Sequence, residues 1–253
     1  MEFFQQEKTG FHQLRKWQLM VSIIMPAYNE ADIIESCVRE WHAEVVSRIS
    51  DSELIIVDDC SLDTTGDIVK RLSRELPGLR YIRTSGNGGH GPALRVGFDA
   101  AQCPWIFQTD SDRQHLPADF WKLWAIREKA DFVFSIREHR ADGLVRLAIT
   151  HCMRVFNFII WGIWVRDANC PFKLMRSEAL ARVLSKVPRD CFIPMVMVSL
   201  LSRRMRFRVI ESRVTHLPRR GGSQSLHGLA KWILVAWICS RQIMLIRFAA
   251  RIQ

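Results

Sequence analysis

Short runs rich in β-branched and aromatic residues, each ending abruptly in polar ones, constrain this chain most. Val21-Ser-Ile-Ile-Met25 stops at Pro26, and Glu53-Leu-Ile-Ile-Val57 runs into Asp58-Asp59. Leu79–Arg83 leads into a glycine-rich loop, and Trp105-Ile-Phe-Gln-Thr109 runs into Asp110-Ser111-Asp112. Runs of this length and composition predict strands. Between them, Ala31–Arg48, Thr64–Glu75 and Pro92–Ala101 read as helices. Strand and helix in alternation predict an α/β chain with a mostly parallel sheet covered by helices on both faces. Such sheets bind ligands outside the carboxyl ends of their strands. Tyr28, Asn29 and Glu30, then Asp58 and Asp59, then Asn87 to His90, then Asp110 to Asp112, are therefore expected along one rim.

Two motifs on that rim compete. Gly86-Asn-Gly-Gly-His-Gly91 satisfies G-x-G-x-x-G, and Asp110 follows about 20 residues later, as a dinucleotide fingerprint requires. That fingerprint belongs in the first strand-helix turn, where this chain has Pro26-Ala-Tyr-Asn-Glu30 and no glycine. A nicotinamide-dependent oxidoreductase is disfavoured on that ground. The pair Asp110 and Asp112 is the stronger signal. Two acids one residue apart at a strand end can share a hard divalent cation with a substrate diphosphate, and oxygen ligands suit Mg²⁺ or Mn²⁺. In isolation the same pair also reads as turn formers and helix caps.

Charge is unevenly distributed. The formal net charge is +10, from 36 Lys and Arg against 26 Asp and Glu. Eleven of those bases but a single acid, Glu211, fall in residues 202–253, so the first 201 residues balance at 25 against 25. The tail interleaves its bases with Trp232, Ile233, Leu234, Val235, Trp237, Ile238 and Phe248, which suits an anionic lipid surface. A nucleic-acid-binding reading rests on the basic tail alone, without a recognised fold motif, so no nucleic acid partner is expected. The apolar runs Val155–Val165 and Trp232–Cys239 fall short of the roughly 20 residues that cross a bilayer. They are read either as surfaces lying on a membrane or as buried core helices. The seven cysteines are odd in number, scattered and without a C-x-x-C pair, and the opening MEFFQQEKTG has no basic stretch followed by an apolar run. Reduced thiols in a cytosol-facing protein without a secretory leader are expected.

Read together, VSIIMPAYNE, LIIVDDCSLDTT, GNGGHGPALRVGF, QTDSDRQHLP and DANCPFKLMR resemble, in order and spacing, the family-two glycosyltransferases. The nearest branch is that of dolichyl-phosphate mannose synthase and the polyprenyl-phosphate glycosyltransferases, and the resemblance covers roughly residues 20 to 225. It implies a GT-A fold: an α/β domain over 21–225 with a mostly parallel Rossmann-like sheet, an N-terminal extension over 1–20, and a basic amphipathic C-terminal helix over 226–253. It implies that Pro26, Tyr28 and Glu30 form the first nucleotide-contacting turn and that Val57 and Asp59 form the base-binding strand end. It also implies that Asp112 and Gln114 hold the metal, with Asp110 and Ser111 toward nucleotide and sugar. Arg137, in Ser135-Ile-Arg137, stands near the family's S-R-Y arginine, though the spacing differs and no tyrosine follows. Arg137 and Lys173 are the residues expected on the acceptor phosphate. Arg219-Arg-Gly-Gly-Ser223 resembles a phosphate-gripping R-x-x-G-x-S-K loop that here lacks the final lysine. For each of these bases a solvated surface charge is the plain alternative.

The chemistry so implied is an in-line displacement with inversion at the anomeric carbon, catalysed by Asp110, Asp112 and Arg137. The donor is a UDP- or GDP-linked hexose and Mg²⁺ or Mn²⁺ is the cofactor. A lipid phosphate acceptor is already ionised at neutral pH and needs no general base. No separate downstream base motif stands out, which favours a polyprenyl phosphate acceptor over a glycan or glycolipid hydroxyl. The expected location is the cytosolic membrane face, held peripherally. A catalytically dead relative is disfavoured because Asp110, Asp112 and Gln114 are all present.

Overall fold

A computed structural model describes residues 19–138, 144–217 and 229–249; side chains are described over 19–138, 151–217 and 237–248. Strands β1 (Val21–Ala27), β2 (Glu53–Asp58), β3 (Leu79–Arg83) and β4 (Trp105–Gln108) alternate with helices α1 (Ile34–Glu44), α2 (Thr65–Glu75) and α3 (His90–Ala100). Then follow α4 (Phe120–Ala125), β5 (Phe132–Glu138), α5 (Leu144–Trp161), β6 (Lys173–Arg176), α6 (Ser177–Leu184), α7 (Pro194–Arg204), β7 (Val209–Thr215) and α8 (Leu229–Ala249). The strands form one sheet in the order β3-β2-β1-β4-β6-β5-β7. All neighbours are parallel except β6, which runs antiparallel to both β4 and β5.

The elements expected from the sequence are present, with two informative shifts. β1 does not stop at Pro26 but continues to Ala27, and Pro26 keeps register with Val57 on β2. The ladder between β1 and β4 ends at Ile24 opposite Gln108, so Pro26 lies where β4 has already left the sheet and its missing N–H costs no bond there. The gap so opened, between the ends of β1 and β4, is where strand order reverses: β2 and β3 lie on one side of β1 and β4 on the other. Open α/β sheets bind ligands at such a switch point. The second shift is that Gly89, at φ +86°, starts α3 earlier than Pro92 would; a left-handed residue there suits glycine.

Both faces of the sheet are covered, which is why β1 and β2 are buried at every position rather than alternating. On one face Trp41, Phe120 and Phe172 pack around Phe107, with ring centroids 5.5, 5.0 and 4.7 Å from it. On the other, α3, α6 and α7 cover Ile24, Ile55, Val57, Phe132 and Phe134. α8 joins this second layer through Ile243 and Ile246, and its Arg247 Nε donates to the Ile160 carbonyl of α5 at 3.3 Å. The two apolar runs are split in burial. Trp161, Val165 and Cys239 are buried, whereas Phe158, Ile159, Trp164 and Trp237 are exposed, as are Leu245 and Phe248 beyond the second run. Among the described residues no helix is long and apolar enough to cross a membrane.

Candidate active site

The strand ends are stitched into a rim by short polar bonds. After β1, Asn29 adopts φ 52°, its N–H donates to Ser61 Oγ (3.0 Å) and its Oδ1 accepts from Leu62 N (2.8 Å). The Glu30 N–H donates to Thr65 Oγ1 at 2.8 Å, and the Glu30 carbonyl receives Ile33 N and Ile34 N as α1 begins. Pro26, the penultimate residue of β1, is buried, Tyr28 is exposed and Glu30 is buried. Asp58 and Asp59, adjacent in sequence, do different work. Asp58 is fully buried and accepts from Ser61 N (2.8 Å), Tyr81 Oη (2.8 Å) and Arg83 Nη1 (2.9 Å), so it builds the turn. Asp59 reaches across to the glycine loop: Oδ1 accepts from Gly88 N (3.0 Å) and Thr84 Oγ1 (3.1 Å), and Oδ2 from Gly89 N (2.7 Å). The G-x-G-x-x-G run thus offers its amides to a carboxylate of the chain itself, after the third strand.

The loop after β4 carries Asp110, Ser111, Asp112, Arg113 and Gln114. Ser111 is buried, and the Asp112 Oδ1 accepts the Gln114 N–H at 3.1 Å. Arg113 adopts φ 56° and turns outward, donating to Ser36 Oγ (3.1 Å) and Glu40 Oε2 (2.8 Å) on α1. Non-glycine residues in this left-handed region concentrate at functional sites. Gln114 Nε2 donates to the Leu217 carbonyl (3.3 Å) and Leu217 N to the Gln114 carbonyl (2.8 Å). His90, the first residue of α3, brings its Nε2 to 3.8 Å from Asp110 Oδ1.

Two carboxylates and a carboxamide on one loop are hard oxygen donors, and they suit a cation that keeps waters and takes substrate phosphate as its remaining ligands. Among the described residues no three His, Cys, Asp or Glu side chains form a ready cage. Oxygen donors of this kind suit Mg²⁺ or Mn²⁺.

On the far side of β4 stand the two bases expected on the acceptor. Arg137, near the end of β5, is clamped side-on by Asp167: Nε to Oδ2 is 2.9 Å and Nη2 to Oδ1 is 3.0 Å, with side-chain exposures of 8% and 2%. This bidentate contact uses two of the five guanidinium N–H groups. Lys173 departs from expectation. It is 0% exposed, at the start of β6 between Gln108 and Phe134, and its Nζ donates to Ala168 O (2.7 Å), Met195 O (3.1 Å) and Ser199 Oγ (2.7 Å). All three ammonium protons are spent inside the protein, so in this arrangement Lys173 does not reach an acceptor phosphate. Desolvation lowers its pKa to about 7, while Cys170 and Asp167 pull it upward. Val57 likewise packs its side chain in the layer under α3, so it can meet a nucleotide through its backbone alone. Arg219 lies outside the described residues.

Two residues placed here were not singled out in the sequence, Asp167 and the buried His115, whereas His90 stands on the rim as expected. Asp167 opens the DANCPFK segment, and its acidic position in that motif was the available signal. His115 packs on Phe172 and His216, with ring centroids 5.1 and 5.4 Å apart, and burial lowers its pKa to about 4.

The chain is 28% identical over 219 residues to the undecaprenyl-phosphate 4-deoxy-4-formamido-L-arabinose transferase of Edwardsiella ictaluri, a match covering 84% of this chain and 64% of the relative. It is 28% identical over 237 residues to the dodecaprenyl-phosphate galacturonate synthase of Rhizobium johnstonii, covering 92% of this chain and 69% of the relative. The chain thus spans about two thirds of the length of these relatives. Among solved structures, glucosyl-3-phosphoglycerate synthase from Mycobacterium tuberculosis, determined with Mn²⁺, UDP-glucose and phosphoglyceric acid, superposes with a TM-score of 0.63 at 17% identity. That likeness covers 92% of this chain and 80% of the other, and with the sheet order above it shows a GT-A-type α/β fold. Residues 22–184 match the profile described as glycosyl transferase family 2, and the chain belongs to that family.

Proposed function

We propose that this chain is an inverting, metal-dependent glycosyltransferase that moves a hexose from a UDP- or GDP-linked donor to a polyprenyl phosphate at the cytosolic face of a membrane. The observation that carries the reading is the juxtaposition on one rim of the Asp110-Ser111-Asp112 loop at the β1/β4 switch point with Arg137, clamped by Asp167 one strand beyond β6. The first half can receive the diphosphate of a donor, and the second half places a guanidinium at the end of β5 for an anionic acceptor to meet.

In the proposed reaction an acceptor phosphate oxygen attacks the anomeric carbon as the bond from that carbon to the nucleoside diphosphate breaks. The leaving diphosphate departs with the electron pair and configuration inverts. A bound Mg²⁺ or Mn²⁺, held by Asp112 and Gln114, would supply charge neutralisation for that diphosphate. Asp110 and Ser111 orient nucleotide and sugar, with Arg219 as a further donor contact. Pro26, Tyr28, Glu30, Val57 and Asp59 form the nucleoside side, Val57 by its backbone. Arg137 holds the acceptor oxygen close and its planar fork is pre-oriented by Asp167, so little ordering remains to be done on binding. Two named polyprenyl-phosphate transferases among the relatives support this acceptor class. Phe158 and Trp164, whose rings stand 5.9 Å apart, with Ile159, Trp237 and Phe248, are exposed apolar groups suited to an interfacial lipid surface.

The test is transfer of radiolabelled sugar from a panel of UDP and GDP donors to polyprenyl phosphate, with Mn²⁺ or Mg²⁺ and with EDTA. Metal-dependent label in the lipid phase is expected. Donor turnover with label only on a glycan or glycolipid hydroxyl would overturn the acceptor assignment and retain the family chemistry.

A further inference from the structure

A lysine buried without a carboxylate bonded to it needs a reason to be there, because burial of an ammonium is costly and Lys is almost never fully buried. Lys173 meets that cost with three oxygens from two places in the chain. Ala168 O belongs to the loop before β6, while Met195 O and Ser199 Oγ belong to the first turns of α7. Ser199 Oγ lies within bonding distance of the same two carbonyls, 3.2 Å from Ala168 O and 2.8 Å from Met195 O. A neutral side chain of the same length would leave these acceptors facing one another with no donor but the Ser199 hydroxyl. The Ala168 carbonyl is thereby tied to α7, and the residue before it is Asp167, which clamps Arg137. Phe134, the β5 partner of Lys173, lies on the same strand as Arg137, and the ammonium stands 5.0 Å from its ring.

We propose that Lys173 is a positioning residue: its ammonium locks the 166–172 loop onto the start of α7 and so holds Asp167, and through it the Arg137 guanidinium, in their bidentate arrangement at the end of β5. Only the catalytic consequence rests on reading Arg137 as the acceptor-phosphate group; the mechanical claim stands on the bonds alone. Lys173 differs on this account from a core residue that merely fills space, because its effect is specific to the Asp167–Arg137 pair.

The full chain, labelled with ¹⁵N-arginine, reports the pair directly through the Arg137 Nε–H resonance, assigned by its loss in Arg137→Lys. In the wild type that proton, held on Asp167 Oδ2, is expected to exchange slowly with solvent. In Lys173→Met it should exchange at least tenfold faster, and Ser199→Ala, which removes one acceptor and leaves the charge in place, should show a smaller change in the same direction. In transfer assays with a C55 polyprenyl phosphate, Lys173→Met should raise the acceptor KM at least tenfold and leave the donor KM within twofold. In an Asp167→Asn background the same substitution should add less than twofold, because the link it serves is already cut. Unchanged Arg137 exchange in both Lys173→Met and Ser199→Ala would overturn the proposal, as would equal KM losses in the two backgrounds. If Lys173→Met does not fold, Ser199→Ala alone decides by its exchange rate. Full transfer activity in Arg137→Gln would defeat the acceptor reading, and the exchange measurement would still decide the role of Lys173.

Discussion

Gly91→Ala tests how the donor side of the rim is held. Gly91 is the second residue of α3, and a Cβ built there lies 2.2 Å from the Cys191 carbonyl oxygen and 2.7 Å from that of Phe192. Both obstacles are backbone, and that backbone is itself tied down, since Phe192 N donates to Gln242 Oε1 on α8 at 3.0 Å. Ordinary contact requires roughly 3.4 Å, so helix or loop must move by about 1 Å. Overpacking of this kind costs about 1–3 kcal/mol. Against it stands the usual gain of about 1 kcal/mol for replacing glycine by alanine inside a helix. The clash wins because neither partner is the flexible end of a side chain, and a net loss of up to about 2 kcal/mol is expected, or a Tm lower by up to about 8 °C. Donor affinity should fall with it, because the start of α3 carries His90 and the Gly89 amide bound to Asp59. Gly86→Ala is the control, since nothing lies within 4 Å of its Cβ. Urea denaturation and calorimetric titration with the active nucleotide sugar measure both effects. A Gly91→Ala variant as stable as Gly86→Ala, with unchanged donor affinity, would refute the packing of α3 against residues 191 and 192.

The remaining predictions concern charge. Asp112→Ala should abolish metal-stimulated transfer while leaving the denaturation midpoint nearly unchanged, as measured by activity over a Mn²⁺ series beside thermal melts. Asp167→Ala should cost about 3–5 kcal/mol in urea unfolding, because it leaves the Arg137 guanidinium in a buried site without its bidentate partner, and replacing Asp167 and Arg137 together by Leu should cost less than the single change. His115 is held down to about 4 in the folded chain against about 6.5 unfolded, so the unfolded state binds the extra proton between these values. Stability should therefore fall as pH drops from 6.5 to 4, by up to roughly 3 kcal/mol, and His115→Phe should flatten that part of the urea-midpoint profile.

The readable parts of the fold are those whose information is local. β2, α2, β3 and β4 follow from short runs of residues and their flanking acids, and the rim follows from the rule that places polar residues at strand ends. Pro26 misled because its tolerance depends on β4 having ended at Gln108, a neighbour more than eighty residues away in sequence. β6 went unread for a related reason: its four residues become a strand by fitting between β4 and β5 in the opposite direction. Lys173 misled most, because a lysine beside an acceptor motif is ordinarily a surface charge, and three oxygen acceptors supplied by distant segments put this one in the core. The division of labour between Asp58 and Asp59 is likewise tertiary: Tyr81 and Arg83 claim the first, and the glycine loop the second.

The insertion of β6 between β4 and β5 bears on the order in which the chain can fold during synthesis. By Gln108 the strands β3-β2-β1-β4 have all been made and can pair, but β4 then presents an open edge whose partner, Leu174 and its neighbours, is still some sixty-five residues from the ribosome's exit. Phe107, which meets Phe172 at 4.7 Å in the finished core, waits with it. Unpaired edges and exposed aromatic surface are what make partly folded chains aggregate. Nascent chains that end between β4 and β6 should therefore be the species most dependent on chaperones, and a truncation just after Arg176 should be far more soluble than one just before Lys173.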